Sequence, residues 1–165
     1  MYKRQGATLA AAAAGATVTH VDASKGMVTW AKENAVSSGL KDAPIRWLVD
    51  DCVKFVEREI RRGNTYDAII MDPPSYGRGP KGEIWKIEDM IHPLIRLCAK
   101  ILSKDALFFL VNSYTTGLAP AVLTYMISTE LKSWNGHVDS QEIGLPVTNS
   151  GLVLPCGASG RWESR

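Results

Sequence analysis

Tyr66-Asp67-Ala68-Ile69-Ile70-Met71-Asp72-Pro73-Pro74-Ser75-Tyr76 is the stretch on which the fold turns. Its first six residues form a β-rich, largely apolar run, of the kind that a parallel sheet buries on both faces. Asp72 ends the run. Pro73 and Pro74 cannot donate backbone hydrogen bonds and hold the chain extended, so their carbonyls are expected to point into a crevice beside the Asp72 carboxylate. Tyr76 follows, able to stack on a planar substrate. The plain alternative is a rigid loop that leaves the sheet.

On the N-terminal side, the alanine-rich segment from Gly6 to Gly15 favours a thin helix. Val18 to Val21 reads as a strand ending at Asp22, and Ser24 caps a helix with Val28, Ala31 and Ala35 on one face, stopped by Gly39. Ile45 to Val49 is a second strand, and Asp50 and Asp51 open a helix with Val53, Val56 and Ile60 on one side. Gly63 closes it.

On the C-terminal side, Gly77 to Gly82 reads as a Gly/Pro/Lys loop. A helix follows, with Pro93 in its first turn and Leu94, Leu97, Cys98 and Ile101 facing inward. Ala106 to Val111 is another buried strand, Pro120 starts a helix to about Leu131, and Gln141–Leu145 and Gly151–Leu154 form a closing hairpin. Strands alternating with helices at this spacing imply right-handed crossovers and an α/β fold: one domain over residues 1–165, Rossmann-like, with a doubly wound, mostly parallel sheet and one antiparallel strand.

In such a sheet the acids after successive strands, Asp22, then Asp50 and Asp51, then Asp72, would line one crevice where ligands bind. An Asp at a strand end also commonly caps the next helix, and that alternative stands for each. Asp22, a carboxylate after the earlier strand, can accept from two ribose hydroxyls, a contact common to nucleotide-type cofactors. One after the next strand can accept an exocyclic adenine amine, Asp51 being the choice, with Asp50 and Cys52 beside it.

Composition narrows the class. The chain has 165 residues and a formal net charge of +2, which permits an RNA partner without arguing for one. No apolar run is long enough to cross a bilayer. Cys52, Cys98 and Cys156 fit neither a disulfide framework nor metal-ligand spacing, so no metal is expected and a reducing cytoplasm is the simplest compartment. Nothing in the sequence speaks to oligomeric state.

Asp72-Pro73-Pro74-Ser75-Tyr76 resembles the fourth motif of class I S-adenosylmethionine-dependent methyltransferases. Gly6-Ala7-Thr8, Val21-Asp22-Ala23-Ser24 and Asp51 resemble the end of the first motif, the second and the third. Within that superfamily the chain is similar to the branch holding bacterial large-subunit ribosomal-RNA methyltransferases, with Tyr114-Thr115-Thr116-Gly117 and Leu154-Pro155-Cys156-Gly157 in support.

The resemblance implies S-adenosylmethionine as cofactor: ribose on Asp22 with Ala23 and Ser24 beside it, adenine near Asp50, Asp51 and Cys52, methionine end by Gly6, Ala7 and Asp72. It implies methyl transfer to a nucleophile held by Asp72, Pro73, Pro74 and Tyr76, with Ser75, Tyr76, Arg78 and Lys81 toward an rRNA substrate. It also implies a first strand and early glycines ahead of Gly6, where this sequence has Met1 to Gln5, and hence weak cofactor binding by this chain. Relatives that methylate carbon 5 of a pyrimidine use a cysteine after the fourth or fifth strand. Asn112-Ser113-Tyr114 stands there instead, which favours a nitrogen acceptor. The rival readings are a nicotinamide-dependent oxidoreductase, disfavoured by the Asp-Pro-Pro-Ser-Tyr loop, and a non-catalytic remnant serving as an RNA-binding or assembly surface.

Other residues carry less. His20, His92 and His137 read as surface or capping residues, and Arg58, Arg61 and Arg62 as a solvated helix face. Of the five tryptophans, Trp85 alone lies next to the substrate loop.

Overall fold

The computed structural model describes residues 3–79, 82–115 and 117–165. The chain divides into two compact units, Met1–Arg61 and Arg62–Arg165.

In the first unit, α1 (Lys3–Ala13) leads through a turn at Gly15 into β1 (Val18–Asp22). α1 begins before the expected start, so Gly6 is its fourth residue rather than the residue that opens it. The helix is fixed to its neighbours by polar contacts as well as alanine packing. Thr8 Oγ1 lies 2.8 Å from Nδ1 of His20 on β1, and Asn34 Nδ2 donates to Gln5 Oε1 at 2.5 Å. His20 is buried and tilted against Trp47, with ring centroids 5.1 Å apart, so the expectation of a surface histidine is corrected. Its position on β1 turns the side chain inward, toward Thr8.

α2 (Lys25–Ser37) starts where the sequence puts it: Ser24 is extended, and its hydroxyl accepts from Met27 N. Val28, Ala31 and Ala35 are its buried stripe. β2 (Ile45–Val49) pairs in parallel with β1, Val18 opposite Ile45 through Asp22 opposite Val49. In α3 (Cys52–Arg62) the buried positions are Phe55, Val56 and Glu59, one step around from the expected Val53–Val56–Ile60 stripe. Glu59 has a fully buried side chain, with Arg46 of β2 at 3.8 Å.

The second unit is built on a four-stranded sheet in the order β3-β6-β8-β7. β3 (Ala68–Met71) runs parallel to β6 (Phe108–Ser113), while β8 (Val153–Ser164) is antiparallel to both β6 and β7 (Gly136–Pro146). β8 is therefore the one antiparallel strand of this sheet, as the closing hairpin implied. Both hairpin strands are far longer than the sequence reading, because pairing to two neighbours recruits the Gly- and Ser-rich stretch of β8. Ile70 is 41% exposed and β6 alternates between buried and half-buried positions, so neither strand is buried on both faces as expected. Among the described residues β3 has a single strand partner, β6.

α4 (Ile87–Ala99) places Pro93 seventh, not in the first turn. An interior proline costs a helical hydrogen bond, an effect of about 3 kcal/mol. The buried stripe of Ile87, Ile91, Leu94, Ile95 and Cys98 outweighs it, with Pro93 on the exposed side. α5 (Pro120–Glu130) has its proline at the first position, where no donor is lost, and packs Leu123 and Ile127 on β8. A Cβ at Gly160 would fall 2.8 Å from both Ile127 Cδ1 and Leu123 Cβ, so a side chain there would push the helix off the strand. His92 Nε2 and Arg96 Nε both meet Glu130 Oε1, at 2.8 and 3.0 Å, which pins α4 to α5 and gives His92 a structural partner. Among the described residues no helix is long and apolar enough to cross a membrane.

Candidate functional site

Asp22 and Asp50 close the two parallel strands of the first unit side by side, for Asp50 N donates to the Asp22 carbonyl at 3.0 Å. The Asp22 side chain is buried, and Oδ1 accepts from Ser24 N at 2.8 Å, a turn that sets Ala23 and Ser24 at the surface ahead of α2. Asp50 is engaged through both oxygens. Oδ1 accepts from Asp51 N at 2.9 Å, and Oδ2 pairs with Arg58 on α3. Arg58 thus belongs to an ion pair rather than to the solvated face expected of it.

Asp51 is exposed and caps α3: its Oδ1 accepts from Lys54 N at 2.9 Å. The capping alternative raised for these acids is therefore realised in Asp51. Among the described residues its Oδ2 accepts no hydrogen bond, so one carboxylate oxygen is open to a donor from outside. Cys52, the first residue of α3, is exposed beside it. Gly6 is exposed and Ala7 half-buried, both on α1.

In the second unit Asp72 and Pro73 are half-buried directly after β3, while Pro74, Ser75 and Tyr76 are exposed. The loop is held on three sides. Trp85 Nε1 donates to the Pro74 carbonyl at 2.6 Å, Ser75 Oγ lies 2.7 Å from Thr115 Oγ1, and the Ser75 carbonyl accepts from Ile87 N at 3.1 Å. One of the two proline carbonyls expected to face a ligand is thus already occupied by the indole.

The supposed Gly/Pro/Lys loop is a small hairpin, β4 (Tyr76–Arg78) against β5 (Ile84–Lys86), another correction to the sequence reading. Glycine and proline hide a strand from propensity arguments, and the pairing is supplied by register and by the Gly79 N to Glu83 O bond at 2.8 Å. Arg78 lies on β4, where Nε donates to Tyr76 Oη at 2.9 Å. Lys81, and Thr116 of the supporting stretch, lie outside the described residues. Sequence reasoning missed Thr115 as a partner of the loop, since nothing local links it to a serine 40 residues away.

At the far end of β6, Gly157 of β8 takes φ +146°, and a Cβ there would overlap the Ser113 carbonyl oxygen and come within 2.8 Å of Tyr114 Cα. This close approach fixes the turn that carries Thr115 to Ser75. The cysteines of this unit are poorly placed for covalent chemistry: Cys98 is buried in α4, and Cys156 donates to the Leu154 carbonyl at 3.3 Å.

No protein-family model matches the chain. It is similar to the ribosomal RNA large subunit methyltransferase K/L of Pseudoalteromonas atlantica, 36% identical over 87 residues, which are 52% of this chain and 12% of that protein. It is also similar to the ribosomal RNA large subunit methyltransferase K of Neisseria meningitidis, at 29% identity over 64% of this chain and 30% of that one. Among solved structures, a SAM-dependent methyltransferase from Agrobacterium tumefaciens superposes with a TM-score of 0.90 and 41% identity, covering 96% of this chain and 53% of its own. The chain thus spans between about an eighth and a half of the length of these relatives.

Proposed function

Starting from a chain with the Rossmann-like fold and the sequence likeness of class I S-adenosylmethionine-dependent methyltransferases, we propose that it transfers a methyl group from S-adenosylmethionine to a nitrogen of an RNA base, in ribosomal RNA. The likeness to the Agrobacterium tumefaciens methyltransferase, at 41% identity along nearly the whole chain, supports the methyl transfer, and the likeness to ribosomal RNA large subunit methyltransferases supports the RNA substrate.

The acceptor groups at the ends of β1 and β2 fit an adenosyl group. A nucleoside offers hydroxyl and amine donors, and Asp22 and Asp51 are pure acceptors when ionised. Asp22 takes the ribose, with Ala23 and Ser24 beside it. Asp51 takes the adenine amine through Oδ2, with Asp50 fixing the strand end and Cys52 alongside. Gly6, Ala7 and Asp72 belong to the methionine end. When bound, the cofactor supplies an electrophilic methyl group on a sulfonium.

The chain's own contribution at the acceptor is to aim a lone pair and receive a proton. Asp72 and the Pro73 carbonyl hold the acceptor nitrogen, and the Pro74 carbonyl, tied to Trp85, keeps the loop in one conformation. Tyr76, Ser75, Arg78 and Lys81 lie toward the RNA, Tyr76 offering a ring on which one of its bases can stack. A nitrogen needs no covalent intermediate, in keeping with the absence of cysteine at Asn112-Ser113-Tyr114 and with the engaged or buried thiols of Cys98 and Cys156.

Calorimetric titration of S-adenosylmethionine into the chain tests the assignment. Saturable binding is expected. No binding would overturn the cofactor assignment and favour a non-catalytic surface.

A further inference from the structure

The β4–β5 hairpin has two unlike faces. Its register sets Tyr76 opposite Lys86, Gly77 opposite Trp85 and Arg78 opposite Ile84. Side chains alternate across a strand, so Trp85 lies on one face, where its indole reaches the Pro74 carbonyl. Tyr76, Arg78, Ile84 and Lys86 share the other. All four are exposed, Tyr76 by 50% and Ile84 by 56%.

The charge on this face is unbalanced. Among the described residues of the hairpin, Arg78 and Lys86 stand against Glu83. Among the described residues neither Arg78 nor Lys86 is in an ion pair, and the Glu83 side chain lies close over Gly79. Arg78 is instead tied by Nε to Tyr76 Oη at 2.9 Å, which fixes a guanidinium at the edge of an exposed ring.

We propose that this outer face is a docking surface for single-stranded RNA flanking the acceptor base. Cations meet phosphates, and an exposed ring and an aliphatic side chain between them meet an unstacked base and its sugar. A duplex hides its base faces, and an acidic polypeptide would use the cations but not the ring. The inner face ties the same hairpin to the acceptor loop, so a strand bound outside is held in register with Asp72-Pro73-Pro74. The proposal rests on the methyl-transfer reading for the identity of that loop, but the binding itself requires no cofactor.

Fluorescence anisotropy with a labelled single-stranded RNA oligonucleotide, titrated over a range of salt, tests it on the full chain. Each phosphate contact contributes about 0.7 to the slope of log K against log salt, so Lys86→Gln should lower the slope by about 0.7 and Arg78→Gln with Lys86→Gln by about 1.4. Tyr76→Ala should weaken binding roughly tenfold with little change in slope. Thermal unfolding of each variant should match the parent, since all three side chains are exposed. Unchanged slopes, equal affinity for the blunt duplex, or displacement of RNA by polyglutamate at matched charge would each overturn the proposal. Calorimetry with S-adenosylmethionine on the unsubstituted chain separates the two readings: absent cofactor binding beside salt-dependent RNA binding would sink methyl transfer and leave the surface standing.

Discussion

Trp85 and Pro74 are joined by a 2.6 Å hydrogen bond from the indole nitrogen to the proline carbonyl, across the base of a hairpin with only three residues in each strand. A ribbon this short is marginal without such a tether. Trp85→Phe keeps most of the bulk and removes the donor. It should cost about 1 kcal/mol, seen as roughly fivefold faster amide exchange at Gly79, whose N–H closes the hairpin on Glu83. Unchanged exchange would show that packing alone holds the loop.

Asp51 combines a helix cap with the oxygen assigned to adenine, and two substitutions separate the roles. Asp51→Ala removes both and should destabilise by about 1 kcal/mol. Asp51→Ser keeps a capping oxygen, so stability should stay within about 0.5 kcal/mol of the parent while S-adenosylmethionine binding weakens about tenfold. Should calorimetry find Asp51→Ser binding as tightly as the parent, Asp51 is a cap and nothing more.

Asp72→Asn distinguishes two kinds of nitrogen. The amide still accepts a hydrogen bond but cannot take a proton, so an exocyclic amine acceptor should lose about a hundredfold or more in kcat. A ring nitrogen with a free lone pair needs positioning only and should lose less than tenfold. Single-turnover transfer of labelled methyl to RNA reads the difference, and retained activity removes Asp72 as an essential base.

Gly157→Ala should be among the most damaging single changes in the second unit. Its φ is +146° and the added methyl overlaps the Ser113 carbonyl. Strain and overpacking together should cost about 3 kcal/mol, measured by urea unfolding. A loss below about 1 kcal/mol would mean that β6 and β8 can separate at this point.

Thr8→Val tests the polar seam under α1. It removes the hydroxyl 2.8 Å from His20 Nδ1 in a buried setting and should cost about 1 to 2 kcal/mol in thermal or urea unfolding. No loss would mean that alanine packing alone seats the helix.

What the sequence disclosed follows the range over which each signal acts. Ser24, Pro120 and the strand Ile45–Val49 were legible because capping, a fixed φ and a short β-favouring run are local properties. The burial of His20 was not, since it depends on Thr8 and Trp47, which come to it from other elements. Pro93 was misplaced because Ile87 and Ile91 extend the apolar stripe of α4 beyond what a proline-start rule allows. At the candidate site the acids were found in order, and capping was foreseen as the alternative that Asp51 realises, but not that Arg58 claims Asp50 or that Trp85 takes a proline carbonyl. Those are choices among partners, and composition does not rank them.

The insertion of β8 between β6 and β7 sets an order of events during synthesis. A nascent chain that has emerged through Pro146 contains β7 but no strand for it to join, because its partner in the sheet is made later. Until Val153–Ser164 leave the ribosome, β6 and β7 each keep an open edge, and α5 lacks the strand bearing the Gly160 gap into which Leu123 and Ile127 settle. The half-made unit is an aggregation risk for that interval, and slow translation between β7 and β8 would lengthen it.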